Sequence, residues 1–172
     1  MLPEIKKILY TTNLGESTRP VLKFAVSLAK KHDAKLYLLH VVKPFKDSDS
    51  LLFEAYLSEE MMQQASKMLK ETSQHVLDKI KSRMERFCAE ELGTTPEEQS
   101  RFFGDIRVVS GSPAEMIVQE AENRGVDLII VGSHIGSTLK STLLGSTARK
   151  VTNMSRKPVL VVPMSETETW GD

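Results

Sequence analysis

The feature that most limits the fold of this chain is the regular alternation of short apolar runs with longer amphipathic ones. The five apolar runs have the length of strands and lie at residues 6–12, 35–42, 105–111, 127–132 and 158–163. Several of them are apolar at successive positions, which is typical of strands that are buried on both faces. The runs therefore predict a parallel sheet that is covered by helices on both sides.

Four amphipathic segments between these runs are predicted to be helices, at about residues 18–31, 58–92, 112–125 and 142–154. The third of them has the clearest boundaries. Ser112 and Glu115 have the spacing of a capping box, and Pro113 between them suits the first helical position. Gly125 can end the same helix, because glycine readily adopts the left-handed conformation that stops one.

Several methionines recur at helical spacing along the second predicted helix, among them Met61, Met68 and Met84. A methionine-rich face can serve as an adaptable binding surface. Apolar residues at this spacing are more often part of a core, so the sequence predicts that these methionines are buried.

Five strands alternating with four helices predict an α/β fold. Its expected form is a single open, doubly wound, five-stranded parallel sheet, Rossmann-like, with strand order 3-2-1-4-5. The predicted domain covers residues 1–165 of the 172-residue chain, and residues 166–172 are predicted to be a disordered tail. Residues 93–105 are predicted to be irregular, and residues 44–58 to form either a flap near the carboxyl ends of the strands or a simple surface loop.

The composition excludes several classes of protein. The 23 basic and 23 acidic residues cancel, whereas proteins that neutralise nucleic-acid phosphates usually carry a basic excess, so no nucleic-acid partner is expected. Cys88 is the only cysteine, which excludes an intrachain disulfide and suits a reducing cytoplasm. No signal peptide and no apolar run of membrane-spanning length is visible, so the sequence predicts a cytoplasmic protein without a membrane partner.

The residues that could carry catalysis are few and scattered. His40 falls within an apolar strand and is interpreted as a hydrogen-bonded core histidine, and Cys88 as a small buried hydrophobe. His134 lies in a glycine-rich loop, where contact with a ligand and plain solvent exposure are equally plausible. No nucleophile with a base, and no pair of histidines with metal-ligand spacing, can be identified, so the chain is not expected to be an enzyme.

The glycine-rich stretch VGSHIGSTLKSTLLGSTARKV, residues 131–151, directly follows the fourth apolar run. Ligands of open α/β sheets bind outside the carboxyl ends of strands, and amides around glycines before a helix can receive an anion. The alternative is that the glycines and hydroxyls only shape a turn between strand and helix. Residue types alone favour neither, since the stretch lacks the GK[ST] ending of a P-loop and the chain has no GxGxxG.

Four stretches resemble the universal stress protein family, and together they extend over nearly the whole chain. They are KKILYTTN, LYLLHVV, GSPAEMIVQEAENRGVDLIIVGSH and LLGSTARKVTNMSRKPVLVVP. The resemblance implies a small cytoplasmic α/β protein that acts in the stress response, commonly as a homodimer. One branch of this family binds ATP at the glycine loop, and another branch does not.

In the nucleotide-binding branch the loop has the form G-x2-G-x9-G-[ST]. Gly132 matches its first glycine, and Gly145 with Ser146 matches its end. Ile135 stands at the position of the middle glycine, and the glycine follows one place later as Gly136.

The resemblance also implies which residues would contact a nucleotide. At the end of the first strand, Thr12 and Asn13 would face the adenosine, with Thr11 beside them, and the Val41 backbone would flank the adenine. The phosphates would lie among Gly132, Ser133, Gly136, Gly145, Ser146 and Thr147. The branch tends to carry an aspartate at the position of Asn13, and asparagine can still bond to a ribose hydroxyl, without charge assistance.

The favoured interpretation is a stress-response homodimer that binds ATP or AMP, with Mg²⁺ as a companion of the nucleotide, as a sensor or regulatory ligand. The dimer is expected to form through the last strand, residues 158–163, because an apolar strand at a sheet edge favours pairing with another chain. The alternative is a stress protein that acts through protein interactions and binds no nucleotide, which Asn13 and Ile135 favour. A slow nucleotide hydrolase is a third possibility, disfavoured by the absence of a base or metal cluster.

Overall fold

The five strands that lie in the described residues form one parallel sheet in the order β3-β2-β1-β4-β5. The structure, a computed structural model, describes residues 2–43, 59–92, 95–134 and 144–164. The strands are β1 (Lys7–Thr12), β2 (Lys35–Val42), β3 (Phe103–Ser110), β4 (Leu128–Ser133) and β5 (Val159–Pro163). The predicted fold class and strand order are confirmed. Residues 44–58 and 166–172, for which a flap and a disordered tail were predicted, lie outside the described residues.

The helices in the described part of the chain lie between the strands. They are α1 (Arg19–His32), α2 (Glu59–Phe87), α3 (Pro96–Phe102), α4 (Pro113–Arg124) and α5 (Ser146–Met154). A short 3-10 helix, Glu16–Thr18, precedes α1, and a π-helical turn, Cys88–Leu92, follows α2. The sequence predicted four helices, so α3 is an additional element.

The prediction that residues 93–105 are irregular was wrong, because they include α3 and the start of β3. The side chain of Thr95 accepts a hydrogen bond from the Glu98 amide, and the Glu98 carboxylate accepts one from the Thr95 amide. Pro96 occupies the first turn. This capping box satisfies two backbone donors at once and begins a helix of only seven residues.

The boundaries of α4 are partly as predicted. Pro113 begins the helix, and Gly125 ends it with φ of 58° and an amide that bonds to carbonyls of the last turn. The predicted capping box was wrong, because the Ser112 side chain makes no capping hydrogen bond. Ser112 has φ −70° and ψ 119°, and its carbonyl accepts the Met116 amide, so the backbone and Pro113 begin this helix without side-chain help.

Alternating strand residues are buried on opposite faces of the sheet. In β1, Ile8 and Tyr10 join the core beneath α1 and the second half of α2, whereas Leu9 joins the core beneath α4 and α5. In β4, Ile129 and Ile130 divide in the same way. Two cores that share one sheet explain why these strands are apolar at successive positions.

The prediction that the α2 methionines are buried was wrong for Met61 and Met68, which are 48% and 69% exposed. At 29 residues, α2 is about 44 Å long, whereas a strand of eight residues spans about 27 Å. A helix of this length cannot contact the sheet along all its turns. The buried contacts belong to its second half, where Ile80 and Phe87 are in the core and Met84 packs against it.

Cys88 is buried, as predicted, and burial raises the pKa of its thiol. Of the helices in the described residues, none has both the length and the apolar character needed to cross a membrane.

Tyr10 is a buried residue whose contribution to stability should depend on pH. Its side chain bonds to Thr12 and Thr18 and, because burial disfavours the phenolate, its pKa rises from 10.0 to about 12. Between these two values the unfolded chain releases the proton and the folded chain keeps it. The contribution of Tyr10 is therefore complete below pH 10 and is lost as the pH rises to about 12.

We expect the free energy of unfolding to fall by about 1.4 kcal/mol per pH unit across this window on account of Tyr10 alone. Urea titrations of the protein and of Tyr10→Phe at pH 9 to 12 measure it. The Phe variant should be less stable at neutral pH by about 1 kcal/mol for its lost hydrogen bonds, and should lose less stability as the pH rises. Equal alkaline slopes in the two proteins would contradict this account.

Candidate functional site

A cavity of about 420 Å³ opens at the carboxyl ends of β1, β2 and β4. It lies where the strand order reverses, between β1 and β4, which is the usual position of ligands in open α/β sheets. Nine of the ten residues predicted to contact a nucleotide line it: Thr11, Thr12, Asn13, Val41, Gly132, Ser133, Gly145, Ser146 and Thr147. The tenth, Gly136, lies outside the described residues, as does Ile135.

The chain turns sharply where β1 ends beside the cavity. The Thr12 hydroxyl accepts the Leu14 amide at 3.1 Å, and the Asn13 side-chain oxygen accepts the Gly15 amide at 2.9 Å. Leu14 has φ of 60°, in the left-handed region, which costs a non-glycine residue about 1–2 kcal/mol. These contacts hold the turn, and with it Asn13, at the cavity wall.

The oxygen and the nitrogen of the Asn13 side-chain amide have different surroundings. Its oxygen is used within the turn, and its nitrogen has no hydrogen bond to the described residues. The nitrogen can offer a ligand two N–H groups, and the oxygen, which accepts the Gly15 amide with one lone pair, keeps only its second lone pair for a ligand.

His40 combines a structural contact with a position at the cavity. Its Nδ1 lies 2.7 Å from the Thr12 carbonyl oxygen. A carbonyl only accepts, so Nδ1 carries the proton and donates. The predicted hydrogen bond of a strand histidine is therefore present, but His40 is half-buried and also lines the cavity, which the sequence did not predict.

The other end of the cavity is the start of α5. The Ser133 hydroxyl accepts the Gly145 amide at 2.9 Å, which ties the end of the glycine loop to the end of β4. Gly145 is the N-cap residue, and as a glycine it has no side chain to cap the helix. Because the first amides of a helix have no acceptor within it, those of Ser146 and Thr147 are available to a ligand.

The packing at Gly132 leaves little room for a side chain. A Cβ at this position would come within 3.0 Å of the Met164 side chain and of Val21. Val21 is fully buried, so it has little freedom to move away. The glycine thus lets α1 and the residue after β5 close over the end of β4.

The charges around the cavity favour an anion. Lys43 lines it directly after β2, and no aspartate or glutamate is among the described lining residues. His40 and His134 also line it, and His134 is exposed. Lys43 was not among the predicted site residues, although a lysine directly after a predicted strand was a signal that could have identified it.

A model of the universal stress protein family matches residues 4–163. The chain therefore belongs to the universal stress protein family, which confirms the resemblance of its sequence.

The relatives include Universal stress protein MJ0577 of Methanocaldococcus jannaschii. It is 34% identical over an alignment of 165 residues, and the alignment covers 91% of this chain and 94% of that protein. The solved structure of MJ0577 is similar to this structure with a TM-score of 0.62 and 30% sequence identity, and the match covers 95% of this chain and 99% of that chain.

Two further solved structures share the fold. UspA from Lactobacillus plantarum has a TM-score of 0.67 and 19% identity over 94% of this chain and 99% of that one. A universal stress protein in complex with cAMP has a TM-score of 0.51 and 20% identity over 95% of this chain and all of that one, 100%.

We expect Gly132→Ala to destabilise the protein by about 1–3 kcal/mol, because the new methyl group overpacks against Val21 and Met164. Met164→Ala should make room for it, so the double variant should lose less stability than the sum of the two single variants. A thermal or urea double-mutant cycle measures this coupling. Additive losses would show that Met164 does not limit the space at Gly132.

Proposed function

We propose that this universal stress protein binds an adenine nucleotide, ATP or AMP, in the cavity at the ends of β1 and β4, as a sensor or regulatory ligand. The observation that carries the proposal is the cavity itself. It has a volume within the range of small-molecule sites, a helix N-terminus at one end, a lysine, and no acidic group among its described lining residues.

The end of the cavity near α5 suits the phosphates. The first turn of α5, whose N-cap residue has no side chain, offers backbone N–H groups, and the helix dipole is equivalent to about half a positive charge there. The hydroxyls of Ser146 and Thr147 line the same end and can donate to phosphate oxygens. Lys43 adds a full positive charge to the cavity wall.

The rest of the cavity suits a nucleoside. Leu39, Val41, Ile117 and Val131 supply apolar surface for a flat ring. On the β1 side, the Asn13 amide and the second nitrogen of His40 are polar groups that a ribose could reach. Apolar walls with a few polar groups are typical of such sites.

A related structure supports the choice of an adenine nucleotide. The universal stress protein solved with cAMP has the same fold, so this fold accommodates an adenine ring and a phosphate. At 20% identity, it does not identify the contact residues of this chain.

We propose that the protein binds the nucleotide in the cytoplasm and does not turn it over efficiently. Among the described residues, no group of three or more His, Cys, Asp or Glu side chains could hold a metal ion. Any Mg²⁺ in this proposal is therefore carried by the phosphates of the nucleotide.

Calorimetry with ATP and AMP tests the nucleotide. Gly145 has negative φ, and an added Cβ would meet Ser133 Oγ at 3.4 Å, so Gly145→Ala fits in ordinary contact, whereas Gly145→Val should fill space that a phosphate needs. We expect the protein and Gly145→Ala to bind with similar affinity and Gly145→Val to bind at least tenfold more weakly, or about 1.4 kcal/mol.

Absence of heat and of competition at millimolar nucleotide in the unchanged protein would overturn the proposal. The second candidate function, a stress protein that acts through protein interactions with an empty loop, would then be favoured. The observation that favours it is the Asn13 oxygen, which is used within the turn and carries no charge.

We further propose that the protein is a homodimer through β5. This strand is at the edge of the sheet, pairs with β4 among the described strands, and leaves Val159, Leu160 and Val161 only half-buried. An apolar edge favours addition of another strand, and Pro158 and Pro163 limit its length.

We expect Val161→Lys to give monomers in analytical ultracentrifugation, because a lysine at the edge opposes strand pairing. The far-ultraviolet circular dichroism of the variant should keep its helical signal. Val161→Thr, which keeps the shape and β propensity of the side chain without a charge, is the matched control and should remain dimeric. An unchanged dimer in the lysine variant would exclude β5 as the interface.

A further inference from the structure

The turn after β1 is held from behind by one arginine of α2. Arg83 Nη1 donates to the Leu14 carbonyl at 2.8 Å and lies 3.4 Å from the Gly15 carbonyl oxygen, and Nη2 donates to the Glu16 carboxylate at 2.8 Å. The Arg83 side chain is only 8% exposed. A buried guanidinium therefore contacts three consecutive residues of the turn that carries Asn13.

Arg83 occupies a position that packing alone would give to an apolar residue. It lies between Ile80 and Phe87 on the buried face of α2, one residue before Met84. A buried arginine is costly unless its donors are satisfied. Here they are directed at two backbone carbonyls and at the Glu16 carboxylate, which an apolar side chain could not reach with a hydrogen bond.

One of the Arg83 hydrogen bonds is made to the residue of the turn that has a left-handed backbone, Leu14. Leu14 has φ of 60°, and its carbonyl accepts the shortest of the Arg83 bonds to backbone. A conformation of this kind persists only where surrounding contacts determine it. Arg83 thus supplies, from another element, a contact that keeps the turn in the geometry facing the cavity.

The turn after β1 also separates two cavities. Thr12 and Thr18 line both the 420 Å³ cavity and a second cavity of about 20 Å³ on the α2 side, which Arg83 and Ile80 also line. Without the guanidinium, the wall has room behind it. Displacement of the turn in that direction would move Asn13 and leave the α5 end of the cavity unchanged.

From these contacts we propose that Arg83 is a positioning residue for the nucleoside end of the site: it fixes the β1 turn so that Asn13 meets the ribose. The inference rests on the proposed nucleotide site. It assigns a role in ligand selectivity to a residue of α2 that does not line the main cavity.

Two probes separate the two ends of the site. ATP should use both the turn and the α5 end, whereas tripolyphosphate can use only the α5 end. Comparison of ATP with 2′,3′-dideoxy-ATP reports contact with the ribose hydroxyls.

Arg83→Met removes all three contacts and keeps an unbranched apolar stem. If the turn adopts the competent geometry in about a tenth of the molecules, the affinity for ATP falls about tenfold. The preference for ATP over the dideoxy analogue should fall with it, while affinity for tripolyphosphate stays at the level of the unchanged protein. Arg83→Lys, which keeps the charge and one donor direction, should restore part of the preference.

Two controls exclude a general effect. Ile80→Val loosens the same face of α2 without removing a hydrogen bond, and should keep the ribose preference even where it lowers the melting temperature. Lys81→Met removes an exposed cation from the same helix and should change neither the ribose preference nor the melting temperature. Asn13→Ala should also lose the ribose preference, and adding Arg83→Met to it should cause little further loss, because both act on one contact.

The outcomes distinguish the inference from the proposal on which it rests. Binding by the unchanged protein, together with an Arg83→Met variant that keeps its affinity and ribose preference, would overturn the role of Arg83 alone. Equal losses for ATP and tripolyphosphate would also overturn it, since they indicate a general loss of structure. Absence of nucleotide binding in the unchanged protein would overturn both the proposed function and this role within it.

Discussion

β1 pairs with β2 on one side and with β4 on the other, and the position of the site depends on this pairing. The chain leaves β2 toward one edge of the sheet and returns to place β4 on the other side of β1. The connections from β1 and β4 therefore diverge to opposite faces, and a crevice remains between them. Since the described strands are all parallel, only their carboxyl ends border this crevice, and Thr12, Asn13 and Ser133 are found there.

The phosphate end and the nucleoside end of the proposed site are built by different means. The α5 end depends on backbone amides, a helix dipole and the hydrogen bond between Ser133 and Gly145, so it needs few particular side chains. The β1 end depends on the conformation of a turn that includes one left-handed leucine. The first arrangement suits an anion of any kind, whereas the second can discriminate among the molecules that carry it.

The sequence was sufficient to predict the strands, because apolar runs buried on both faces differ clearly from amphipathic helices. Their order was predicted as that of a doubly wound sheet and is the order observed. Nine of the residues that the family resemblance implied as nucleotide contacts line one cavity, which agrees with the convergence of strand ends in a parallel sheet. The sequence was insufficient for α3, although the Thr95 capping box was present in the residues. The exposed Met61 and Met68 show why helical spacing alone misleads: spacing identifies a face, but not whether the sheet extends beneath it.

Two features had no signal of their own in the sequence. Leucine is rare in the left-handed region, so nothing in residues 13–15 predicts the conformation of Leu14. Arg83 interrupts an apolar stripe, which marks it as unusual, but its partners are almost seventy positions away in the chain. Contacts of this kind are set by tertiary packing, and only the assembled sheet and α2 bring them together.

The hydrogen bond from the Gly145 amide to Ser133 joins two residues that lie twelve positions apart in the chain. Ser133 is the last residue of β4, and Gly145 is the N-cap residue of α5. Because Ser133 is buried, water competes little for this bond. The start of α5 is therefore held against the sheet, and any group bound by its first amides is held against the same sheet.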